Sequence, residues 1–291
     1  MTSRLIRFAA AALAAASLMT ASLAHAAGDE APLDRFPTDK LNNLPSLQHG
    51  AQLFVNYCLG CHSAQYMRYN RLADIGLTDA QIKDNLLFTG QKVGDTMQIP
   101  MSKADAAEWL GAAPPDLSVI TRARSSGAGS GSDWLYTFLR SFYRDNTRAT
   151  GWNNSIFPNV GMPHVLWNLQ GQRGVEILAP AHGEGDGHGA GPVKLTKTIV
   201  DVTGAARSEE ITAPEGKVLH GTEYSFPAAV GGTQNAFEYD DTVGDLVAFI
   251  TYMSDPTAKT RNRLGIWVLI FIGIFFVAAW ALNKAFWKDI R

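Results

Sequence analysis

The chain has 291 residues, of which 46% are apolar, with 27 acidic and 25 basic side chains, 27 glycines, 13 prolines and two cysteines. That length leaves room for one large or two small domains once the ends are set aside; the apolar share supports a packed core, and the Gly and Pro content calls for many loops. Residues 27–258 hold 26 acidic against 17 basic residues, a net charge of −9 that repels nucleic acid and favours a cationic partner.

Residues 1–26 read as a secretory signal peptide. Arg4 and Arg7 form a short basic region, Phe8 to Leu23 is an Ala/Leu-rich apolar run, and Ala24-His25-Ala26 fits a small-x-small cleavage site. The mature chain then starts near Ala27. The next pattern is an amphipathic helix expected over Leu47 to Tyr57, where Leu47, Ala51, Phe54 and Val55 recur at helical spacing and Gly50 permits a close backbone approach.

Both cysteines lie in Cys58-Leu59-Gly60-Cys61-His62, directly after that helix. Cys-x-x-Cys-His is the spacing of haem attachment. Two thiols reach the two vinyl groups of one haem to form thioethers, and His62 then lies under the iron and donates an imidazole nitrogen. A disulfide or a thioredoxin-like pair needs no His, and zinc lacks a second Cys pair. One haem c, held through Cys58 and Cys61, is therefore expected.

The sixth iron ligand must come from farther along the chain. Met19 is in the leader, Met67 is too close to His62 to reach the opposite face, and Met253 fits a core position. Met97, Met101 and Met162 remain, together with histidines. His182 and His188 sit in a Gly-rich tract that reads as a flexible loop, and His164 is two residues after Met162. The segment Phe157-Pro158-Asn159-Val160-Gly161-Met162-Pro163 is a stiffened loop, with Gly161 allowing close approach. Between these candidates, Ala113-Pro114-Pro115-Asp116-Leu117-Ser118 is a rigid extended segment that runs into Arg122 and Arg124. Guanidinium forks match carboxylates, so the two arginines either meet haem propionates or are ordinary surface residues.

A terminal helix is expected over Asp241 to Met253, with Val243, Leu246, Val247, Ile250 and Met253 on one face, a cap at Asp240, Asp241 or Thr242, and Pro256 as its stop. It should pack on the helix before the cysteines. Leu264 to Leu282 is uncharged and rich in Ile, Phe, Val and Trp. At about 1.5 Å per residue it can cross a core of about 30 Å. Trp267 and Trp280 sit near its ends, as interface aromatics do. Basic residues flank both sides, so orientation rests on the leader. It exports the N-terminal part and leaves a tail of about nine residues in the cytoplasm.

Four features then coincide: Cys58 to His62, the Ala-Pro-Pro-Asp-Leu-Ser run with its Arg-x-Arg, the Phe-Pro-Asn-x-Gly-Met-Pro loop, and a basic-flanked terminal anchor. Together they resemble the cytochrome c1 family, the haem subunits of bacterial-type ubiquinol–cytochrome c oxidoreductase (the cytochrome bc1 complex). The resemblance implies His62 and Met162 as axial ligands and Arg124 beside a propionate, with Arg122 and Pro115 also at the cofactor. It implies one-electron transport in a respiratory chain, from a Rieske iron–sulfur protein to cytochrome c, with the anchor packed on a cytochrome b subunit among membrane lipid. The haem domain would face the periplasm, held at the inner membrane.

The implied fold is mostly α: a cytochrome c-like haem domain over residues 27–258 with long loops, plus one transmembrane helix within residues 259–291. Two departures stand out. Family members often carry Tyr after the Arg-x-Arg, where this chain has Trp134 after Asp133. Residues 171–232 match poorly and read as an insertion away from the haem, with β-prone pieces such as Lys197 to Val202. Other readings are a different membrane-anchored c-type cytochrome serving an oxidase or dehydrogenase, a haem enzyme or gas sensor, or a structural membrane subunit.

Overall fold

A computed structural model of the chain describes residues 32–181, 194–213 and 221–288. The leader and the histidines His182 and His188 lie outside the described residues. The chain divides into two compact units. One comprises Thr38–Ser102, Pro114–Ile120 and Asp245–Arg291; the other comprises Met1–Pro37, Lys103–Ala113 and Thr121–Gly244. They are called here the motif unit and the loop unit.

In the motif unit, the helix that leads to the cysteines begins at Leu44, earlier than its apolar stripe suggests. Asn43 caps it through its side chain, and Pro45 occupies its first turn. It runs to Leu53 and continues as a π-helical turn over Phe54–Cys58. Against it packs the second half of the terminal helix. A Cβ on Gly50 would lie 2.0 Å from the Asp245 carbonyl oxygen and 2.7 Å from the Phe249 Cβ. Only glycine allows the two backbones to come so close. Phe54 and Phe249 meet at 5.6 Å between ring centroids, and both are fully buried. Each such side chain contributes about 2 kcal/mol of burial. Lys40 and His49 both reach the Asp245 carboxylate, at 2.7 and 2.8 Å.

The terminal helix spans Ala236–Ser254, five residues longer at its start than the sequence pattern predicts. The cap is not Asp240, Asp241 or Thr242. Asn235 and Glu238 bond reciprocally, each side chain accepting from the other's backbone N–H at 2.9–3.0 Å. This capping box lies outside the apolar stripe, which is why the stripe alone misplaces the start. Val243, Leu246, Val247, Ile250 and Met253 are all buried, as expected. After Pro256 a 29-residue helix, Ala258–Phe286, contains the whole expected span and is long and apolar enough to cross a membrane. None of its side chains is buried, which distinguishes it from the core helix of a soluble domain.

The loop unit is built on the Gly131–Arg140 helix, opened by a Ser130/Asp133 capping box. Arg140 bridges Asp240 and Asp34 at 2.6–2.7 Å, and the buried Tyr239 hydroxyl donates to the Leu139 carbonyl. A hairpin pairs Phe142–Arg144 with Trp152–Asn154. The mostly helical expectation stands for the motif helix, the terminal helix and the anchor, but the described part of residues 171–232 is more than loops. They hold a four-stranded antiparallel sheet: Val175–Pro180 lies between Lys194–Val200 and Glu223–Ser225, with Ala206–Thr212 at the edge. The expected strand at Lys197 to Val202 starts three residues earlier and ends two residues earlier. Asp201 ends it, because its side chain accepts from the backbone of Thr203 and Ala205 and closes a turn. The sheet has its own apolar cluster of Tyr143, Val175 and Val200, flanked by Ile177, Tyr224 and Phe226.

Candidate haem site

In the motif unit the π turn delivers Cys58, and the backbone then folds tightly. Cys58's carbonyl accepts from the N–H groups of Cys61 and His62 at 3.1 and 2.9 Å. Both cysteines are free thiols, Cys58 buried and Cys61 exposed. Burial, with a smaller push from Cys61, raises the Cys58 thiol to about 12. A buried neutral sulfur suits a thioether better than a thiolate.

His62 Nδ1 lies 2.7 Å from the Pro115 carbonyl oxygen. A carbonyl can only accept, so Nδ1 carries the proton and Nε2 keeps its lone pair for a metal. Burial pulls the imidazole below its ordinary value, against the Pro115 hydrogen bond and the Asp116 charge, and so favours the neutral ligand form. The proline-fixed segment is itself tied to the motif. Leu117 N–H donates to Ser63 O at 2.8 Å, Gln65 N–H to Asp116 at 2.9 Å, and Tyr66 N–H to Ser118 Oγ at 3.1 Å. The structure therefore gives Pro115 a specific part: it holds His62.

In the loop unit, the Arg124 guanidinium lies 4.4 Å from the Trp134 ring centroid and 5.5 Å from that of Phe157. Trp134 stacks on Phe138 at 4.9 Å. Thus the Trp at the position after Asp133 forms an aromatic seat for Arg124 and for the start of the methionine loop. Arg122 is exposed. Gly131 lets the helix start meet this segment, since a Cβ there would be 1.8 Å from the Thr121 carbonyl oxygen. Met162 is half-buried, three residues beyond Asn159, whose φ of 63° is left-handed. Gly161 makes no close approach to protein: a Cβ there would meet nothing within 4 Å.

The other ligand candidates are placed as follows. Met97 is fully buried on a short strand opposite Ala64, Met253 is buried on the terminal helix, and Met101 is half-buried. His164 stacks on Phe142 at 4.9 Å and donates through Nε2 to Gln170 Oε1 at 2.7 Å. Burial pushes it down to about 3, with the nearby Arg173 charge adding to the effect and the Gln170 bond opposing it. It is a neutral core histidine with Nε2 engaged. Residues that the sequence pattern did not single out are Asn153 and Asn154, buried at the start of the methionine loop. Their only sequence signal is two adjacent amides before an Asn-containing turn.

The residues present fit a haem. Two free thiols stand at the right spacing, and a neutral imidazole is held by Nδ1 with Nε2 left over. Together with an apolar helix long enough to cross a membrane, they fit the class of membrane-anchored haem proteins. The comparisons with known proteins agree. The profile of the cytochrome C1 family matches residues 36–173. A cytochrome c1 from Allochromatium vinosum is 40% identical over 252 residues, 86% of this chain and 87% of that one. A Nitrosomonas europaea protein named ammonia monooxygenase gamma subunit is 41% identical over 246 residues, 84% of each chain. A Bradyrhizobium diazoefficiens protein named cytochrome b/c1 is 26% identical over 276 residues, 84% of this chain and 33% of that one. The chain belongs to the cytochrome c1 family and is a haem-carrying electron carrier.

Proposed function

We propose that the chain is the haem subunit of a quinol–cytochrome c reductase, taking electrons from a Rieske iron–sulfur protein and passing them to a cytochrome c. Cys58 and Cys61 would hold the haem covalently, and His62 and Met162 would supply the ligands to its iron. Bound there, haem supplies a centre that exchanges one electron at a raised potential with no bond chemistry. Pro115 keeps His62 in the Nδ1–H form. Arg124, with Arg122, meets the propionate carboxylates, which a guanidinium on an aromatic seat can do without losing its stacking. The Ala258–Phe286 helix packs on a cytochrome b subunit among lipid in the inner membrane, with the haem domain in the periplasm and the C-terminus in the cytoplasm.

The observation that carries this reading is the His62–Pro115 bond beside two free thiols; the relative whose name joins b and c1 supports the partner. The test is gentle solubilisation of the membrane. Cytochrome b and a Rieske protein should copurify with the chain. Met162→Leu should keep covalent haem, lower its potential and admit carbon monoxide. A six-coordinate variant of unchanged potential removes Met162 as ligand. The Nitrosomonas relative favours one second reading, an anchored cytochrome serving a different oxidase or dehydrogenase. Copurification with such an enzyme and no cytochrome b would establish it.

A further inference from the structure

The loop that ends at Met162 is held by two buried side-chain amides. Asn154 is wholly buried. Its Oδ1 accepts the backbone N–H groups of Ile156 and Phe157, at 3.1 and 3.2 Å, and the Ser141 hydroxyl at 3.0 Å. Its Nδ2 donates to the Phe138 carbonyl at 2.8 Å. Asn153, also buried, accepts the Asn159 N–H on Oδ1 at 2.8 Å and the Asn154 N–H at 2.9 Å. Its Nδ2 donates to Asp145 Oδ2 at 2.8 Å. Asp145 is fixed in turn. Burial works to raise its carboxyl, but hydrogen bonds from Thr147 and Asn153 hold it below the ordinary range.

Pro158 has no N–H. Every backbone N–H from residue 156 to residue 159 is therefore taken by one of these two asparagines. Only an amide serves, since it accepts from the loop with one atom and donates to the core with the other. An aspartate has no donor for Phe138 and would bring a buried charge. Asn159 follows in its left-handed conformation, Val160 is buried, and the chain is then aimed through Gly161 to Met162.

We propose that Asn153 and Asn154 are positioning residues for the Met162 sulfur, an inference that rests on Met162 being the axial ligand. A neutral thioether is a weak donor. How often it occupies its metal depends on how much freedom the loop must lose to bring it there, and pinning the loop in advance removes that cost. In a protein whose potential depends on the sulfur being bound, these amides set the potential without touching the cofactor.

The test uses the full, membrane-anchored, haem-loaded chain. The readouts are the fraction of reduced haem that takes up carbon monoxide, the midpoint potential, haem content and thermal melting. Losing one or two loop hydrogen bonds in Asn153→Ala or Asn154→Ala should raise the carbon monoxide-accessible fraction about tenfold and lower the potential, at normal haem content. A merely structural role moves the melting temperature and leaves the carbon monoxide-accessible fraction and the potential alone. Asn159→Ala, on the exposed loop, should shift them in the same direction. Asn159→Gly, which adopts the left-handed conformation freely, should behave like the native chain.

Met162→Leu is the reference. If it opens the iron while folded Asn153→Ala and Asn154→Ala proteins stay closed at native potential, the inference falls and the ligand assignment stands. If Met162→Leu itself changes nothing, the ligand assignment falls and takes the inference with it. If the two core variants fail to accumulate with haem, Asn159→Ala decides: native behaviour there overturns the proposal.

Discussion

His62 follows a helix by one tight turn, whereas Met162 ends a loop with no helix behind it. His62 is placed by contacts a few residues away, the Cys58 carbonyl accepting from Cys61 and His62, and by one bond across 53 residues of chain to Pro115. Met162's loop is placed by side chains from a neighbouring hairpin and by aromatic rings on the Gly131–Arg140 helix. The two candidate ligands also differ in chemistry. An imidazole is a strong donor that needs its tautomer and orientation set; a thioether is a weak donor that needs its backbone set. One carbonyl suffices for the first, and a network is spent on the second.

The largest expected effect tests the motif side. Cys58→Ser with Cys61→Ser should abolish covalent haem altogether, seen as complete loss of haem signal from the chain after denaturing electrophoresis. Retained signal would mean attachment elsewhere. Next comes the packing beneath the motif. Gly50→Val places a branched side chain where even a Cβ would lie 2.0 Å from the Asp245 carbonyl oxygen. A cost of about 3 kcal/mol is expected from overpacking, read as a lower melting temperature of the haem-loaded protein. An unchanged melting point would show that the two helices have room to separate.

The same contrast explains what the sequence discloses. The Cys58–His62 motif, the 3.6-residue stripe of the terminal helix and the anchor are local patterns, and all three appear where they are expected. The capping box at Asn235 and Glu238 lies outside the stripe, so the helix start was missed. The sheet within residues 171–232 was only half legible. The edge strand Ala206–Thr212 is largely exposed and lacks the alternation that marks a half-buried strand, and its partner's end depends on a turn at Asp201. Asn153 and Asn154 were invisible for a deeper reason. An asparagine in a sequence is a turn former by default, and only the fold reveals that two of them are buried, collect the N–H groups of the loop that follows and tie it to the core at Phe138 and Asp145.

A smaller effect sharpens the helix pairing through pH. Burial works to raise the Asp245 carboxyl, but hydrogen bonds from His49, Lys40 and Ser46 outweigh it and hold the group below its ordinary value. A depressed carboxyl adds stability that is fully present above the unfolded-state value, about 3.9, and is lost as the pH falls through the folded-state value. Asp245→Asn should therefore cost about 2 kcal/mol at neutral pH and flatten the acid limb of a melting-temperature profile below about pH 4. A variant whose acid limb matches that of the native chain would show that other carboxylates govern it.

The smallest effect concerns the acceptor and turns on where the charge lies. Of the net −9 on residues 27–258, residues 171–232 account for only −3, with eight acidic and five basic side chains. Most of the excess is thus outside the sheet region, on the segments that carry the candidate haem residues and their neighbours. Haem propionates would add to it. A cationic cytochrome c should be steered toward such a surface, chiefly through its association rate. Exposed charges are screened over about 8 Å at physiological ionic strength. The second-order rate of electron transfer to a basic cytochrome c should then fall about tenfold between low and high salt. Substituting the acidic residues of Ala206–Thr212, Glu209 and Glu210, with Gln should leave that slope nearly unchanged, because the sheet carries little of the excess. A rate that is flat or rises with salt would place apolar contact or tethering, rather than charge, in control of docking. A slope that collapses in the Glu209 and Glu210 variants would instead put the sheet at the docking face.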